Sequence, residues 1–567
     1  MTDAAVPDSR GINLYRADPS LARLAALYLS PDLHRYLEPH LDRLGALAGD
    51  HLDELAGLAD RNPPVLHTRR RTGEDGDWIE KHPAYRTMEQ LAFGDFGLAT
   101  LSHRGGVLGW PTPMPPAAKY LLTYLFVQAE FGLMCPVSMS DSLTRTLRKF
   151  GDPVLVARYL PALTSQDLDV LTQGAMFMTE QGAGSDVGAT AVRAEAADDG
   201  TWRLFGDKWF CSNADAGLAM VLARPDDAPP GLNGLSLFLL PRVLPDGRRN
   251  AYRIVRLKDK LGTRSMASGE ITLQGATAYL VGEQGAGFRQ MADMINNSRL
   301  SNGVRAAGLM RRAVTEALFV AHRRVAFGRR LVELPLMRRQ LLKMLVRAEQ
   351  ARSMMLQTAD ALRRSDAGEP GAYALLRILT PLIKFRACRD ARVVAGDAME
   401  VRGGCGYIEE WPDPRILRDA HLGSIWEGTS NIVALDVRRA AKRENALTAL
   451  REHVAALLGD APPLADADAA LDRACALMDS AQVEGGEVLA RQAASALYHV
   501  TSAAAMAWEA GRLQDPQRLA LARMVLVHRV LPRDPLRADA GQDGAVEART
   551  VEALLADPGA TALRPSP

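Results

Sequence analysis

The spacing of apolar residues divides the chain into helical and strand-like stretches. From about residue 20 to residue 162, apolar and aromatic side chains recur three and four positions apart, as in Leu21, Leu24 and Tyr28, which predicts amphipathic helices. Between about residues 173 and 282 the period changes to two, and turn-forming triplets such as Asp198-Asp199-Gly200 separate short apolar runs. This pattern predicts a helical domain followed by a small β domain.

A helical period returns after residue 285, and the helices become longer. One apolar stripe begins at Leu334 and another at Leu375, with the breaker Ser365–Gly371 between them and Gly403-Gly404 after the second. Two helices of about 30 residues joined in this way are typical of half of a helical bundle. From Arg443 the chain is rich in Ala and Leu, and its pattern is helical to about residue 530.

The pattern therefore predicts a mostly α fold with a central small β domain. The expected boundaries are an N-terminal helical domain over 1–170, a middle β domain over 171–285, a helical bundle over 286–444 and an extra helical domain over 445–567. A chain of 567 residues with 47% apolar residues can bury a core in each of these segments.

Charge and cysteine content exclude several classes of function. The net charge is +1, which gives no global electrostatic reason to bind nucleic acid or a membrane surface. The five cysteines are scattered and lack CxxC spacing, so neither a disulfide framework nor a metal site is predicted. The N-terminus carries acids and no apolar run, and the most apolar segment is about half of the roughly twenty residues that a membrane helix requires. We expect a cytoplasmic protein without a membrane span.

Five stretches in order carry a resemblance. MTEQGAGSD at 178–186 is followed by GDKWFCSN at 206–213, and the others are RVAFGRRL at 324–331, EVRGGCGY at 400–407 and RDAHLGSIWEGTSN at 418–431. In this order they resemble the acyl-CoA dehydrogenase family. NPP at 62–64, KHPAY at 81–85, VQAEFGLMCPVSMS at 127–140 and the long C-terminal segment are similar to its AidB-like, alkylation-response branch.

The resemblance implies a fold and a chemistry. The family fold has an N-terminal helical domain, a β-barrel or sandwich domain and a C-terminal bundle, and its members form homotetramers. The implied function is FAD-dependent α,β-dehydrogenation of an acyl-CoA thioester, with electrons passing to an electron-transfer flavoprotein or to oxygen. The protein supplies a base for the proton next to the thioester carbonyl, while hydride passes to flavin N5.

Glu427 matches the family's usual base. An acid before hydroxyl residues can also simply begin a helix, because these side chains satisfy free backbone amides and the helix dipole. Some members carry the base instead on the helix that holds Asn296 and Arg299, but Asn296, Asn297 and Ser298 provide no carboxylate. The resemblance therefore favours Glu427 as the catalytic residue.

Further residues match cofactor and substrate positions of the family. Ring stacking is expected from Phe210 in the register that holds Lys208 and Asn213, although Trp209 stands one residue earlier. Arg324 and Phe327 match residues that reach the FAD of a neighbouring subunit. The other expected cofactor contacts are Met178, Thr179, Gly184, Ser185, Ser212, Gly403, Gly404, Thr429 and Asn431. The expected substrate contacts are Ser185, Asn296 and Arg299, the last being equally suited to a structural ion pair.

The alternative function is duplex DNA binding in alkylation protection, with weak or vestigial dehydrogenase activity. It requires clustered Lys and Arg that displace counterions from phosphates. Residues 445–567 hold 11 Lys or Arg and 16 Asp or Glu, so the C-terminal segment is net negative. DNA binding is therefore not favoured. The basic positions that would serve it are Arg311, Arg312, Arg323, Arg324, Arg329, Arg330, Arg338, Arg339, Lys343 and Arg347 in the bundle, and Arg518, Arg523, His528, Arg529 and Arg533 after it.

Overall fold

The computed structural model describes residues 6–532, 536 and 548–562 of the chain. These residues pack into two compact units. One, here called the helical unit, takes the described parts of Met1–Asp53, Pro115–Ala129 and Arg299–Pro567. The other, here called the sheet unit, takes Glu54–Met114 and Glu130–Ser298. The four domain boundaries expected from the sequence stay a prediction.

Helices dominate the described chain. In order they are α1 (Pro19–Tyr28), α2 (Pro31–Ala48), α3 (His51–Arg61), α4 (Pro83–Glu89), α5 (Pro116–Phe126), α6 (Met134–Phe150), α7 (Pro153–Leu163), α8 (Gly287–Arg323), α9 (Pro335–Asp366), α10 (Ala372–Arg402), α11 (Pro412–Leu422), α12 (Ser430–Arg443), α13 (Ala446–Gly459), α14 (Ala467–Gln482), α15 (Ala490–Leu513), α16 (Pro516–Val525), α17 (Ala548–Leu554) and α18 (Gly559–Ala562). The division between the two units falls within α3 and within α8.

The strands belong mainly to the sheet unit. They are β1 (Val65–Arg69), β2 (Asp75–Glu80), β3 (Gly174–Phe177), β4 (Arg193–Ala196), β5 (Trp202–Ser212), β6 (Leu218–Pro225), β7 (Ser236–Pro241), β8 (Tyr252–Leu257), β9 (Ser268–Val281), β10 (Val325–Ala326) and β11 (Arg329–Arg330). β3 to β9 share one sheet in the order β3-β6-β4-β5-β9-β7, with β8 paired to β9.

Pairing between β6 and β7 closes the middle of this sheet into a ring. β3 runs parallel to β6, whereas β5, β7 and β8 run antiparallel to β9. The core of the ring contains Phe177, Leu204, Val221, Phe238 and Ile271, all fully buried. The central small β domain predicted from the period-two pattern is confirmed, and it is barrel-like.

One strand pair lies where a helical pattern was expected. β1 and β2 form an antiparallel hairpin, and Gly73 between them has φ +91°, a conformation that glycine adopts without steric cost. The prediction of helices over about residues 20–162 is therefore wrong for residues 65–80, where the chain forms two strands. The sequence break at Asn62-Pro63-Pro64 marks the point where α3 has ended and the hairpin follows.

The helical unit is built around the predicted pair of long helices. α9 and α10 pack against each other, and Gly403 ends α10 with φ +75°. α15 packs on α9 and α10, so the extra C-terminal helices share their core. In α9, buried Arg352 bonds Asp18 at the start of α1, and buried Glu349 bonds Arg518 of α16 at 2.9 Å. The fold class is confirmed: mostly α, with a bundle and additional C-terminal helices.

Among the described helices, none combines the length and the apolar content that crossing a membrane requires.

Candidate active site

Glu427 lies in a turn between α11 and α12. Its φ is +55° and that of Gly428 is +101°, so two consecutive residues have a left-handed backbone. A non-glycine residue rarely adopts positive φ unless its surroundings enforce it, and such strain concentrates at functional sites. We call Glu427–Gly428 the carboxylate turn.

Two buried cations hold the backbone of the carboxylate turn. Arg299 of α8 donates from Nε to the Glu427 carbonyl at 3.0 Å, and Lys384 of α10 donates from Nζ to the Gly428 carbonyl. Arg299 also forms an ion pair with Asp436 of α12 at 2.6 Å. The turn is therefore held from α8 and α10, and Arg299 makes, with Asp436 of α12, the structural ion pair that the sequence left open. Its expected contact with substrate stays a prediction.

The Glu427 side chain is held as well. Asn302 of α8 is fully buried and donates from Nδ2 to Glu427 Oε2 at 2.6 Å. Asn302 lies three residues after Arg299, so both side chains project from one face of the helix. The carboxylate is thus oriented by a neutral donor, while its backbone is held by cations.

Burial shapes the electrostatics of this cluster. The pKa of Lys384 is lowered to about 8, chiefly by burial with a contribution from Arg299, while Cys388 and Glu427 nearby oppose the shift. Burial raises the pKa of Cys388 to about 11, although Lys384 and Arg305 counteract the shift. Burial also raises the pKa of Asp436, but Arg299 and Arg377 outweigh it and leave that pKa below the ordinary value.

The alternative, that Glu427 only begins a helix, agrees with the structure in one respect: Glu427 lies just before α12. Thr429 is the N-cap of α12, and within the described residues its side chain makes no capping bond. Ser430 Oγ instead accepts from Arg389 at 3.2 Å. Since the Glu427 carboxylate bonds Asn302, its geometry is that of an oriented acid within the helical unit.

The sheet unit holds the second group of predicted residues. Met178–Ser185, here called the glycine loop, follows β3. Buried Lys208 of β5 donates to the Met178 carbonyl at 3.3 Å and to Glu180 Oε1 at 2.7 Å, and the Thr179 carbonyl accepts from the Trp209 amide at 2.8 Å. Burial lowers the pKa of Lys208, against the opposing charge of Glu180. These bonds fasten the loop to β5.

The glycines and Ser185 of the glycine loop are exposed to solvent. Gly184 and Ser185 are exposed, and a Cβ placed on Gly182 or Gly184 would meet no atom within 4 Å. Backbone amides there are accessible to a flat polar ligand because no side chain covers them.

Trp209 and Phe210 lie beside each other on β5, with ring centroids 6.3 Å apart, and Lys258 Nζ also lies 4.9 Å from the Phe210 centroid. The Trp209 ring is covered by Lys258, whose Nζ lies 3.4 Å from the ring centroid, and by Arg256 at 5.9 Å. Phe210 is 57% exposed. Ser212 approaches Ser268, with 3.4 Å between hydroxyl oxygens. Of the two aromatic residues, Phe210 therefore presents the more accessible ring face.

RVAFGRRL forms a tight hairpin in the helical unit. Val325 pairs with Arg330 and Ala326 with Arg329, which leaves Phe327-Gly328 as a two-residue turn. Both turn residues have positive φ, as a type I′ turn requires, and Phe327 is 93% exposed at the tip.

The hairpin's arginine meets the end of α10. Arg324 Nη1 donates to the Arg402 carbonyl at 2.6 Å, and a Cβ on Gly403 would lie 3.3 Å from that same nitrogen. Gly404 is exposed beside open space. The structure thus brings Arg324, Gly403 and Gly404 together.

Two predicted residues lie apart from these clusters. Asn431 is exposed on the first turn of α12 and accepts from Arg491 at 3.3 Å. Asn296 is half-buried on the part of α8 that belongs to the sheet unit. Asn302 and Lys384 were missed by the sequence analysis. For Asn302 the available signal was its polar character one helical turn after Arg299.

Several arginines expected to form a basic surface for DNA are instead buried in ion pairs inside the helical unit. Arg311 pairs with Asp18, Arg312 with Glu316, and Arg518 with Glu349 and Glu509; all are buried. Arg533 lies outside the described residues. The expectation that these three buried side chains add to a basic face is wrong, because a charge already paired in the core displaces no counterions.

The comparisons with known proteins agree with this geometry. Residues 4–170 match the adaptive response protein AidB N-terminal domain, 175–276 the acyl-CoA dehydrogenase middle domain and 285–442 the acyl-CoA dehydrogenase C-terminal domain. The chain is 37% identical over 410 residues to AidB of Escherichia coli strain K12, covering 69% of this chain and 71% of that protein. The chain belongs to the acyl-CoA dehydrogenase family.

Other relatives of this acyl-CoA dehydrogenase support the same assignment. Acyl-CoA dehydrogenase family member 11 of Caenorhabditis elegans is 32% identical over 459 residues, covering 79% of this chain and 74% of the relative. The crystal structure of C. elegans ACDH-11 in complex with C11-CoA superposes with a TM-score of 0.86 at 27% identity and covers 96% of both chains. The Bd2924 apo-form gives a TM-score of 0.81 at 31% identity, over 89% of this chain and 99% of that one.

Family membership makes this protein an FAD-dependent flavoprotein that oxidises acyl-CoA thioesters. The residues present fit the cofactor: the bare glycine loop, the accessible Phe210 ring and the lightly engaged Ser212 hydroxyl provide backbone donors, a stacking face and a polar contact. Among the described residues, no cluster of three or more His, Cys, Asp or Glu side chains is arranged to hold a metal ion.

Proposed function

We propose that this protein dehydrogenates an acyl-CoA thioester between its α and β carbons, with Glu427 as the base. The observation that carries the proposal is the carboxylate turn. A glutamate with φ +55°, fixed through its carbonyl by Arg299 and through its carboxylate by Asn302, is oriented more tightly than solvent contact or helix capping requires.

The proton step follows from this arrangement. The carbon next to a thioester carbonyl is a weak acid, so a positioned base and stabilisation of the developing enolate charge are both needed. Glu427 accepts the α-proton: the C–H bond breaks and an O–H bond forms on the carboxyl group. Bound FAD supplies the two-electron oxidation that removes the β-hydrogen as hydride.

We assign cofactor contacts in the sheet unit to the glycine loop and β5. Met178, Thr179, Gly184 and Ser185 would offer backbone and hydroxyl groups to the flavin and pyrophosphate, while Phe210 would stack and Ser212 would bond the ring edge. The exposure of Gly184, Ser185 and Phe210 supports the assignment. For the substrate, Ser185 and Asn296 remain candidates; Arg299 would act mainly through the backbone of Glu427.

We propose that the exposed hairpin serves a neighbouring subunit of a homotetramer. Phe327 is 93% exposed at the tip of a rigid turn, which favours contact with another chain over a role in this chain's core. Arg324 with Gly403 and Gly404 would then meet the neighbour's FAD, since a guanidinium bonds a diphosphate with two parallel donors. Thr429 and Asn431 complete the proposed cofactor set.

The substrate class follows from the relatives. Since ACDH-11 of C. elegans was solved in complex with C11-CoA, we propose a straight-chain acyl-CoA thioester as the substrate of this protein. Electrons would pass either to an electron-transfer flavoprotein or directly to oxygen.

The test is a visible absorption spectrum of the purified protein, recorded without oxygen before and after addition of short, medium and long acyl-CoA thioesters. We expect a flavin spectrum that bleaches with at least one thioester and recovers on addition of an electron-transfer flavoprotein or air. A flavin spectrum unchanged by every acyl-CoA would contradict the dehydrogenase proposal. Recovery with only one of the two acceptors would identify the electron acceptor.

A further inference from the structure

Within the described residues, the side-chain amide of Asn302 has a hydrogen-bond partner at its nitrogen and none at its oxygen. Its Nδ2 donates to Glu427 Oε2 at 2.6 Å, whereas its Oδ1 has no hydrogen-bond partner in the described part of the chain. The residue is fully buried. A buried carbonyl oxygen without a donor is costly, so its retention beside an acid needs a physical reason.

We propose that Asn302 is a positioning residue that follows the protonation state of Glu427, holding the carboxylate through Nδ2 and the protonated acid through Oδ1. The proposal rests on Glu427 being the base. Before proton transfer, the ionised carboxylate only accepts hydrogen bonds, and the amide nitrogen donates to it. After transfer the carboxyl group carries an O–H that needs an acceptor. A half-turn about the Asn302 Cβ–Cγ bond exchanges the two amide ends and supplies one.

The other groups around Glu427 cannot perform this exchange. Arg299 on α8 and protonated Lys384 on α10 are hydrogen-bond donors without an acceptor, and both are committed to backbone carbonyls of the carboxylate turn. Cys388 on α10 donates from Sγ to the backbone carbonyl of Asn302 at 3.6 Å. The charged and titratable groups that the described residues place around Glu427 on these two helices include Arg305 of α8, whose guanidinium lies 4.7 Å from the ring centroid of Trp426 and carries donors only. Of these side chains, Asn302 alone has a strong donor and a strong acceptor at its tip, because the Cys388 thiol is weak in both roles.

The experiment compares Asn302→Leu and Asn302→Asp with the wild type by stopped-flow measurement of flavin bleaching across pH. Leu keeps the volume and removes both polar ends, so the ionised Glu427 loses its donor and the protonated acid loses its acceptor. The bond to the charged form is the stronger of the two, so the apparent pKa rises by the difference, and we expect the rising limb of the pH–rate profile to move up by about one pH unit. Asp adds a like charge and should move the limb further.

Asn297→Leu is the matched control. Asn297 is also a buried asparagine of α8 whose Nδ2 donates to a carboxylate, that of Asp141 at 3.1 Å. This variant should lose stability without moving the pH profile. FAD content and the thermal midpoint are recorded for every variant, and Asn302→Ser replaces the Leu variant if that one does not fold.

An unshifted profile in the Asn302 variants, or an equal shift in Asn297→Leu, would overturn the proposal. A rate reduced equally at every pH would also overturn it, because that is the signature of a purely structural residue. Failure of the proposed function is distinguishable: it would show as full bleaching by Glu427→Gln, whatever the Asn302 variants do.

Discussion

The carboxylate turn and the glycine loop carry predicted chemistry in opposite ways. In the carboxylate turn, Arg299 and Lys384 hold two consecutive carbonyls and Asn302 holds the side chain. In the glycine loop, one side is fastened through Lys208, while Gly184 and Ser185 stand exposed. One region is fully engaged by its own chain, and the other offers its backbone to a ligand.

This difference in hydrogen bonding reflects the separate roles of the carboxylate turn and the glycine loop. A group that takes a proton must already be oriented when substrate binds, because misplacement costs rate. A loop that binds a cofactor must leave its amides free, because the ligand completes their hydrogen bonds. Substitutions in the carboxylate turn should therefore reduce the free energy of unfolding, whereas those in the glycine loop should reduce cofactor retention.

The largest effect is expected from Arg299→Met. The variant removes one of the buried partners of Asp436 and the donor to the Glu427 carbonyl, while Arg377 stays paired with Asp436 at 2.8 Å. Because Asp436 keeps that partner, the free energy of unfolding should fall by about 3 kcal/mol, the lower end of the cost of breaking a buried ion pair, measured by urea denaturation.

Arg439→Met is the matched control for Arg299→Met. Arg439 also pairs with Asp436, at 3.2 Å, but its side chain is 52% exposed. Its loss should cost no more than about 1 kcal/mol, because solvent screens the pair. An equal loss of unfolding free energy in the two variants would show that the burial of Arg299 does not determine its contribution to stability.

An intermediate effect is expected from a pair of glycine substitutions. Gly428→Ala places a Cβ at φ +101°, 3.2 Å from Val433 and 3.3 Å from Arg299, and should cost about 1–3 kcal/mol of unfolding free energy. Gly184→Ala meets no atom within 4 Å and should stay within about 0.5 kcal/mol of wild type. FAD retention on a desalting column should nevertheless fall in Gly184→Ala. If Gly184→Ala retains as much FAD as the wild type, the glycine loop does not differ from the carboxylate turn in the way proposed.

The smallest effect is expected from removing one aromatic ring, and it distinguishes the role of Phe210 from that of Trp209. Phe210→Ala removes an accessible ring and should weaken FAD binding by the worth of one aromatic contact, about 0.5–1.5 kcal/mol, with little change in stability. Trp209→Ala removes the ring under Lys258 and should mainly lower stability. Fluorescence titration of apoprotein with FAD, beside thermal melts, checks both. The reverse outcome would assign stacking to Trp209.

The sequence predicted elements whose causes are local. The breaker Ser365–Gly371 falls between α9 and α10, and Gly403 ends α10 as expected. The turn residues between residues 173 and 282 predicted the β domain, whereas the short strands β1 and β2 were missed because they lie within a longer stretch whose overall period is helical.

The surroundings of Glu427 could not be predicted in the same way. Asn302 lies 125 residues from Glu427 and Lys384 lies 44 residues from Gly428 in the chain. No local pattern links such positions. The same holds for Arg299, whose partner Asp436 lies 137 residues away, so only the fold could decide that it forms an ion pair.

The central claim, that Glu427 is the base, is tested most directly by anaerobic flavin bleaching in Glu427→Gln. The amide keeps the size of the side chain and an acceptor for Asn302, but it does not take up a proton at neutral pH. We expect FAD content equal to wild type and a bleaching rate lower by about 10²–10⁴-fold, the usual contribution of a positioned base. Glu452→Gln, exposed on α13, should bleach as the wild type does. Bleaching of Glu427→Gln at the wild-type rate would contradict the account.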